Sequence, residues 1–499
     1  MKKILLSAIV FASLSASAQW NQIGNDIDGE AAGDWSGCVV SANGDGTIIA
    51  IGAKENDGSF QNAGQVRVYE NINGTWTQIG ADIDGEAAGD YSGSSVSINN
   101  DGTIVAIGAP GNDGNGVNSG HVRVYKNISG TWTQIGPDFD GEFSGDEFGS
   151  SVSISDNGKV LAAGATKNDG NGNSNSAGHV RVYSQSINGI WTQNGNDIDG
   201  ELSYDESGHS VSLSGDGTTV AIGAKLKNGT GGLDRGHVRV YQSSFNSWTQ
   251  VGGDIDGEAS GDNSGHSIAL TRDLNNSGLL TLAIGAPGND GNGNGSGSAR
   301  VYQYTGGSWS KIGIDLDGEA GTNYAGISIS LNADGSRVAV GASGNSDSGT
   351  NAGHVRVYEN ISGTWTQLGA DIDGEAAGDQ GAFVSLSNDG SIAVIGGMKN
   401  DGNGTDAGHV RVFDYTAATG ISEYNKLNIS IYPNPTTFQL TLNTAEQIQS
   451  ISILDITGKK VKTVVTNTNT IDVSDLTKGI YFLQIQTKNG MAVSKFIKE

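Results

Sequence analysis

WTQIGADIDGEAAGDYSGSSVSINNDGTIVAIGAPGNDGNGVNSGHVRVY, residues 76–125, is one of seven near-copies of a single segment that fill residues 20–413. The marker tryptophan recurs as Trp20, Trp76, Trp132, Trp191, Trp248, Trp309 and Trp365, at intervals of 56 to 61 residues. A fixed period this long means one supersecondary unit, stacked or closed on its neighbours. The quoted copy holds four strand signals: alternating S-V-S-I at 95–98, the apolar run V-A-I-G-A at 105–109, H-V-R-V-Y at 121–125, and the W-T-Q-I that opens the next copy. Asp101-Gly102 separates the first two, and D-G between apolar runs is a tight-hairpin signal. Four antiparallel strands, seven times over, predict an all-β fold, a seven-bladed β-propeller. The array starts on a fourth-type strand (20–24) and stops after a third-type strand (409–413). The first strand is therefore expected to complete the last blade, which closes the ring and leaves no open edge.

The remaining composition fits that reading. Gly at 79 and Pro at 5 of 499 residues suit a turn-dense β protein rather than a disordered chain. Residues 1–18 carry Lys2, Lys3, an apolar run and Ala16-Ser17-Ala18, the pattern of a cleavable signal peptide. No other apolar stretch reaches the length of a membrane span. Cys38 is the single cysteine, so no intrachain disulfide is possible. The net charge of −26 sits in the repeats, because residues 427–499 hold seven Lys against five acids. Such a balance speaks against nucleic acid and anionic lipid as partners. It leaves cations, cationic surfaces or neutral glycans, and the expected ligand is an extracellular glycan or protein.

Two loop types on one face of the predicted ring are acidic. One is D-x-D-G-E (Asp82, Asp84 and Glu86; Asp371, Asp373 and Glu375), and the other is N-D-G (Asp57, Asp113, Asp169, Asp290 and Asp401). Each copy also places an Arg on its third strand: Arg67, Arg123, Arg181, Arg239, Arg300, Arg356 and Arg411. Two readings follow. The Arg residues pair with the D-x-D-G-E carboxylates between blades, or the carboxylates gather cations. The position before the S-V-S strand varies as Cys38, Ser94, Ser150, His209, His266, Ile327 and Ala382. That sets two histidines on neighbouring blades near the channel mouth, where two imidazoles could share a transition metal.

The string at 92–110, S-G-S-S-V-S-I-N-N-D-G-T-I-V-A-I-G-A-P, resembles an FG-GAP repeat, the blade unit of integrin α-chain propellers. Phe148-Gly149 keeps the F-G, and Gly108-Ala109-Pro110 and Gly285-Ala286-Pro287 keep the G-A-P; most other copies have S-G and lack the proline. The resemblance implies adhesion or binding more often than catalysis. It also implies a Ca²⁺ loop between the first two strands. Six copies have only a short turn there, and the fifth carries an insertion in which Asp273, Asn275, Ser277 and Thr281 fall on alternate ligand positions before and after Gly278. These four are the candidate metal ligands, and Ca²⁺ the candidate cofactor. No catalytic motif breaks the repeat symmetry, so the chain reads as a non-enzyme. The alternatives are a polysaccharide-active enzyme using loop carboxylates, or a structural surface protein with no discrete ligand.

Residues 427–499 change pattern, with short alternating strands at 427–432, 439–442, 451–455, 460–465, 480–486 and 492–497, which fit a small β-sandwich. The strings I-Y-P-N-P (431–435), D-I-T-G-K (455–459), L-T-K-G-I-Y-F-L-Q-I (476–485) and K-F-I-K-E (495–499) resemble the C-terminal sorting domain of the Bacteroidetes type IX secretion system. That resemblance implies the type IX machinery as a partner through 427–499, and a secreted or outer-membrane cell-surface location. The expected organisation is a signal peptide (1–18), a propeller (19–415), a linker (416–426) and a sorting domain (427–499). The expected function is binding or adhesion at the cell surface.

Overall fold

The computed structural model describes residues 19–170, 175–227, 233–273, 278–416, 430–444, 448–455, 459–464, 469–487 and 490–499. The expected signal peptide, nearly all of the expected linker, and Asn275 and Ser277 lie outside them. The chain separates into Gln19–Thr416 and a C-terminal unit. No helix occurs among the described residues.

Gln19–Thr416 forms seven sheets of one pattern. Blade 2 runs outward through Ser95–Ile98, Ile104–Ala109, His121–Ile128 and Thr131–Gln134, all antiparallel. The innermost strands touch both neighbours all the way round, so the ring is closed. Seven strands converging on one axis leave little room, and S-V-S meets that constraint with small side chains. The serines also join blades: Ser97 Oγ accepts from Ile154 N at 3.1 Å, and Ser151 Oγ donates to Gly208 O at 2.7 Å. The second strand is buried along most of its length, as a continuous apolar run requires. Its glycine marks where the next blade comes closest: a β-carbon on Gly108 would lie 2.0 Å from Gly149 O.

The predicted closure is present. Gln19–Gln22 pairs antiparallel with His409–Thr416, Trp20 opposite Tyr415, and completes the seventh blade. Around the rim, tryptophans bolt blade to blade. Trp76 Nε1 donates to Ile23 O at 2.9 Å, Trp132 to Ile79 O at 2.8 Å, and Trp20 to Leu368 O at 2.8 Å.

One feature differs from the sequence expectation. The fourth strand breaks in two, and the I-D pair of D-x-D-G-E returns to the third strand, as Phe139–Asp140 does beside His121–Ile128. Gly80, at φ 75°, turns the chain between the two pieces of blade 1. This return carries each D-x-D-G-E carboxylate to the seam between blades.

In the C-terminal unit, a three-stranded sheet (Ser430–Tyr432, Gln439–Asn443, Thr470–Asp472) and a four-stranded sheet (Lys460–Val464, Ile448–Leu454, Gly479–Thr487, Gly490–Lys498) share a core that includes Leu440, Ile451, Ile453, Leu483 and Phe496. Thr470–Asp472 was not expected. It is three residues long with one buried side chain, Ile471, too short to show alternation.

Candidate functional site at the channel mouth

The acidic loops are tied into the scaffold. In all seven copies the third-strand Arg pairs with the Glu of the preceding D-x-D-G-E, as in Arg123 Nη1 to Glu86 Oε1 at 3.1 Å and Arg300 Nη1 to Glu258 Oε1 at 3.5 Å. The same guanidinium often donates to the carbonyl of the second Asp: Arg123 Nη2 to Asp84 O, 2.9 Å; Arg67 Nη2 to Asp28 O, 2.8 Å. The first Asp accepts from a side chain four residues back, as Asp82 does from Gln78 Nε2 at 2.6 Å. The N-D-G aspartate caps its own loop; Asp113 Oδ1 accepts from Asn118 N at 2.9 Å. The buried aspartate of G-D-x-S-G, Asp90, accepts from Asn112 Nδ2 at 3.2 Å and from Ala87 N at 3.0 Å. The structural pairing of Arg and carboxylate is therefore the one present.

What repetition does not explain lies at the mouth of the central channel. The residue after that buried aspartate, which is Asn323 in the sixth copy, is Trp35, Tyr91, Glu147, Glu206, Asn263, Tyr324 or Gln380, and all seven have φ between 52° and 55°. A left-handed conformation costs a residue with a β-carbon about 1–2 kcal/mol relative to the right-handed form. Another repeated left-handed loop position mostly uses the residues that tolerate it, such as Asn62, Asn118, Asn351 and Asp406. At the mouth none of the seven is glycine, in a chain with 79 glycines. The backbone there is held from both sides: Tyr91 N donates to Asn62 O at 3.1 Å, and Ser94 N donates back to Tyr91 O at 3.1 Å. The scaffold fixes seven backbones alike and hangs five kinds of side chain on them.

The side chains around this ring are aromatic and charged. Lys54 and Lys399 both lie within cation–π range of the Trp35 ring system, 5.0 and 5.6 Å from its centre. Glu206 pairs with Lys167 and, at 3.5 Å, with Lys225. Thr166 Oγ1 donates to Glu147 Oε2 at 3.3 Å. A cleft of about 450 Å³ opens among Lys54, Glu55, Tyr91, Ser94, Glu147 and Ser150. The channel below is lined by the serines of the inner strands, including Ser41, Ser97, Ser212 and Ser385. Such a surface offers flat rings, carboxylates and amines on rigid supports, suited to a polar ligand.

The sequence-predicted residues fall as follows. His209 and His266 do meet, edge to face, with ring centres 4.8 Å apart. Burial holds both neutral, helped at His209 by His266 and Lys225 and at His266 by Lys225: His209 lies well below its ordinary range and His266 is pushed down to about 4. Two cations beside the pair, Lys167 and Lys225, oppose a metal there. Cys38 donates to Gly52 O at 3.5 Å, and burial raises its thiol, so it is no thiolate. In the fifth-copy insertion, Asp273 N donates to Leu279 O at 3.0 Å and Gly278 N to Asp273 O at 2.6 Å. Thr281 is buried in its strand against the turn glycine Gly335 of the next blade. Asn275 and Ser277 are not among the described residues. The ring from Trp35 to Gln380 was missed in the sequence. Its only signal was the variable position in G-D-x-S-G, and nothing in one dimension marks that position as left-handed.

Residues 430–499 match the secretion system C-terminal sorting domain, and residues 82–125 match the FG-GAP repeat. No curated protein matches this sequence. A provisionally assigned 6-phosphogluconolactonase from Bacteroides uniformis is similar in structure at 10% identity and a TM-score of 0.47, covering 85% of this chain and 99% of that one. The periplasmic gluconolactonase of Pseudomonas aeruginosa is similar at 13% identity and a TM-score of 0.46, covering 86% and 94%. Likeness this distant carries no activity across. The chain is an all-β propeller carrying an FG-GAP repeat, followed by a sorting domain that directs it through the type IX secretion system to the cell surface or the medium.

Proposed function

We propose that the protein is an exported binding module whose ligand, a polysaccharide, docks on the channel mouth. The observation that carries this reading is the ring of seven non-glycine residues held left-handed at the mouth. Strain of that kind persists where surrounding structure enforces it and a function uses it. Trp35, Tyr91 and Tyr324 supply flat faces for sugar rings, and Glu147 and the nearby Lys54 and Lys399 supply hydrogen bonds to hydroxyls. Adhesion to a glycan surface follows from the same arrangement. Ca²⁺ support at the turn containing Asp273 is a separate part of the proposal, tested by whether added Ca²⁺ raises the unfolding midpoint of the full chain and not of Asp273→Ala.

The test is binding of the full chain to a panel of immobilised polysaccharides in EDTA, beside Trp35→Gly and Tyr91→Gly. At least tenfold weaker binding by both variants, with unfolding midpoints preserved, is expected. Equal binding by all three proteins would remove the mouth from the reading. Release of reducing ends would replace the binding module with an enzyme acting through the mouth carboxylates.

A further inference from the structure

The seven blades are near-copies, so each residue cluster can be compared with its counterparts in the same molecule. Between blades, the third-strand histidine meets the Glu of the preceding D-x-D-G-E and the first Asp of the following one. Five such sets occur among the described residues, each with ligand atoms within 4.8 Å of one another. Four of them hold one histidine and two carboxylates. The set in blade 6 holds a third carboxylate: Glu319, Asp347, His354 and Asp371.

Its origin is a two-residue change. The loop that reads Asn112-Asp113-Gly114 in blade 2 reads Asn345-Ser346-Asp347 in blade 6. The carboxylate has moved one position, to where blade 2 has glycine. Gly114 sits beside the second Asp of its own blade, so a carboxylate there arrives at the seam. Asn345 Nδ2 steadies the newcomer, donating to Asp347 Oδ2 at 3.3 Å and to Glu319 Oε2 at 3.4 Å.

His354 is fully buried, and neither ring nitrogen makes a hydrogen bond. An unpaired imidazole in the interior is costly unless something uses it. Its Nδ1 faces the cluster, 3.4 Å from Asp371 Oδ2 and 4.0 Å from Glu319 Oε2. Tetrahedral bonds of about 2.1 Å put neighbouring ligands about 3.4 Å apart. Glu319 divides its oxygens, Oε1 toward Arg356 Nη1 at 3.5 Å and Oε2 toward the cluster. At two of the other sets a cation bridges two carboxylates. Lys227 pairs with Glu201 and Asp205 in blade 4, and Arg181 pairs with Glu142 and Asp197 in blade 3. In blade 6 three carboxylates face one arginine.

We propose that Glu319, Asp347, His354 and Asp371 form a binding site for one divalent transition-metal ion, of which Zn²⁺ is the probe. One imidazole nitrogen with carboxylate oxygens suits such an ion better than the all-oxygen shell of Ca²⁺. Bound there, the ion joins the loop entering blade 6 to two loops of blade 6 itself and locks that seam. The site is independent of ligand binding at the channel mouth.

The test uses the full chain stripped of metal, titrated with Zn²⁺ by calorimetry, with bound zinc counted after gel filtration. Asp347→Gly restores the residue that blade 2 has at this position, and His354→Gln introduces the residue that blade 1 carries as Gln65. One zinc per chain is expected, with affinity at least tenfold weaker in each variant and unchanged unfolding midpoints in EDTA. Zn²⁺ should raise the midpoint of the wild type only. An Asp347→Gly isotherm equal to wild type, about five equivalent zincs per chain, or no binding would each overturn the assignment.

Discussion

The blade seams and the channel mouth are built from the same seven repeats and treat repetition in opposite ways. At the seams the chain makes one contact seven times: a buried third-strand Arg against a D-x-D-G-E glutamate, with a rim Trp donating to a neighbouring carbonyl in six copies. At the mouth one backbone conformation recurs seven times and carries Trp, Tyr, Glu, Glu, Asn, Tyr and Gln. Uniform side chains serve closure, because seven equal interfaces share the angle of the ring. Varied side chains on a uniform backbone share no one contact, though Glu206 is buried between Lys167 and Lys225 and Glu147 accepts from Thr166. They are the basis of the binding surface proposed at the mouth.

The comparison breaks first at the closest blade contact. Gly108→Ala would set a methyl 2.0 Å from Gly149 O, and backbone cannot rotate away as a side chain can. We expect a loss of about 3 kcal/mol or more, read as a fall in the calorimetric midpoint. Arg123→Met should cost about 2.5 kcal/mol, because it leaves the Asp84 carbonyl without its charged donor and Glu86 without its partner. An unchanged midpoint would mean the seam pairs are incidental.

The third-strand histidines sharpen the comparison through pH. His121, His179 and His237 are pushed down to about 4, by burial first and then by the neighbouring Arg. The unfolded chain protonates them near 6.5, so between pH 6.5 and 4 it binds more protons than the folded one. Stability from keeping them neutral is complete above pH 6.5 and is lost as pH falls toward 4. Blade 1 has Gln65 at this place, bonded to Glu30 at 2.9 Å. His121→Gln should therefore lose about 2 kcal/mol less than the wild type between pH 7 and pH 5, measured by denaturant unfolding at both values.

The smallest effect has the opposite sign. Gln380→Gly removes a side chain from a left-handed backbone, and we expect stability to stay level or rise by up to about 1 kcal/mol. A clear loss would show that the ring side chains are scaffold after all.

Much of the seam was legible in one dimension. The tryptophan period set the number of blades, the D-G turns set the hairpins, and the strand on which the array starts set the closure between Gln19–Gln22 and His409–Thr416. The Arg and Glu of each seam could be paired by eye, since both recur at fixed offsets. The break in the fourth strand was not legible, because a two-residue strand such as Phe139–Asp140 has no periodicity to read.

The sequence by itself determined the architecture and the route of export, because both are written as repeated or contiguous strings whose hydrophobic period and turn residues act locally. Only the tertiary structure decided which variable positions matter. The ring from Trp35 to Gln380 and the extra carboxylate at Asp347 are single residues spaced along some three hundred positions of chain. Closure of the propeller brings them to one mouth and one seam, and the sign of φ and the unpaired nitrogens of His354 exist only once it has closed.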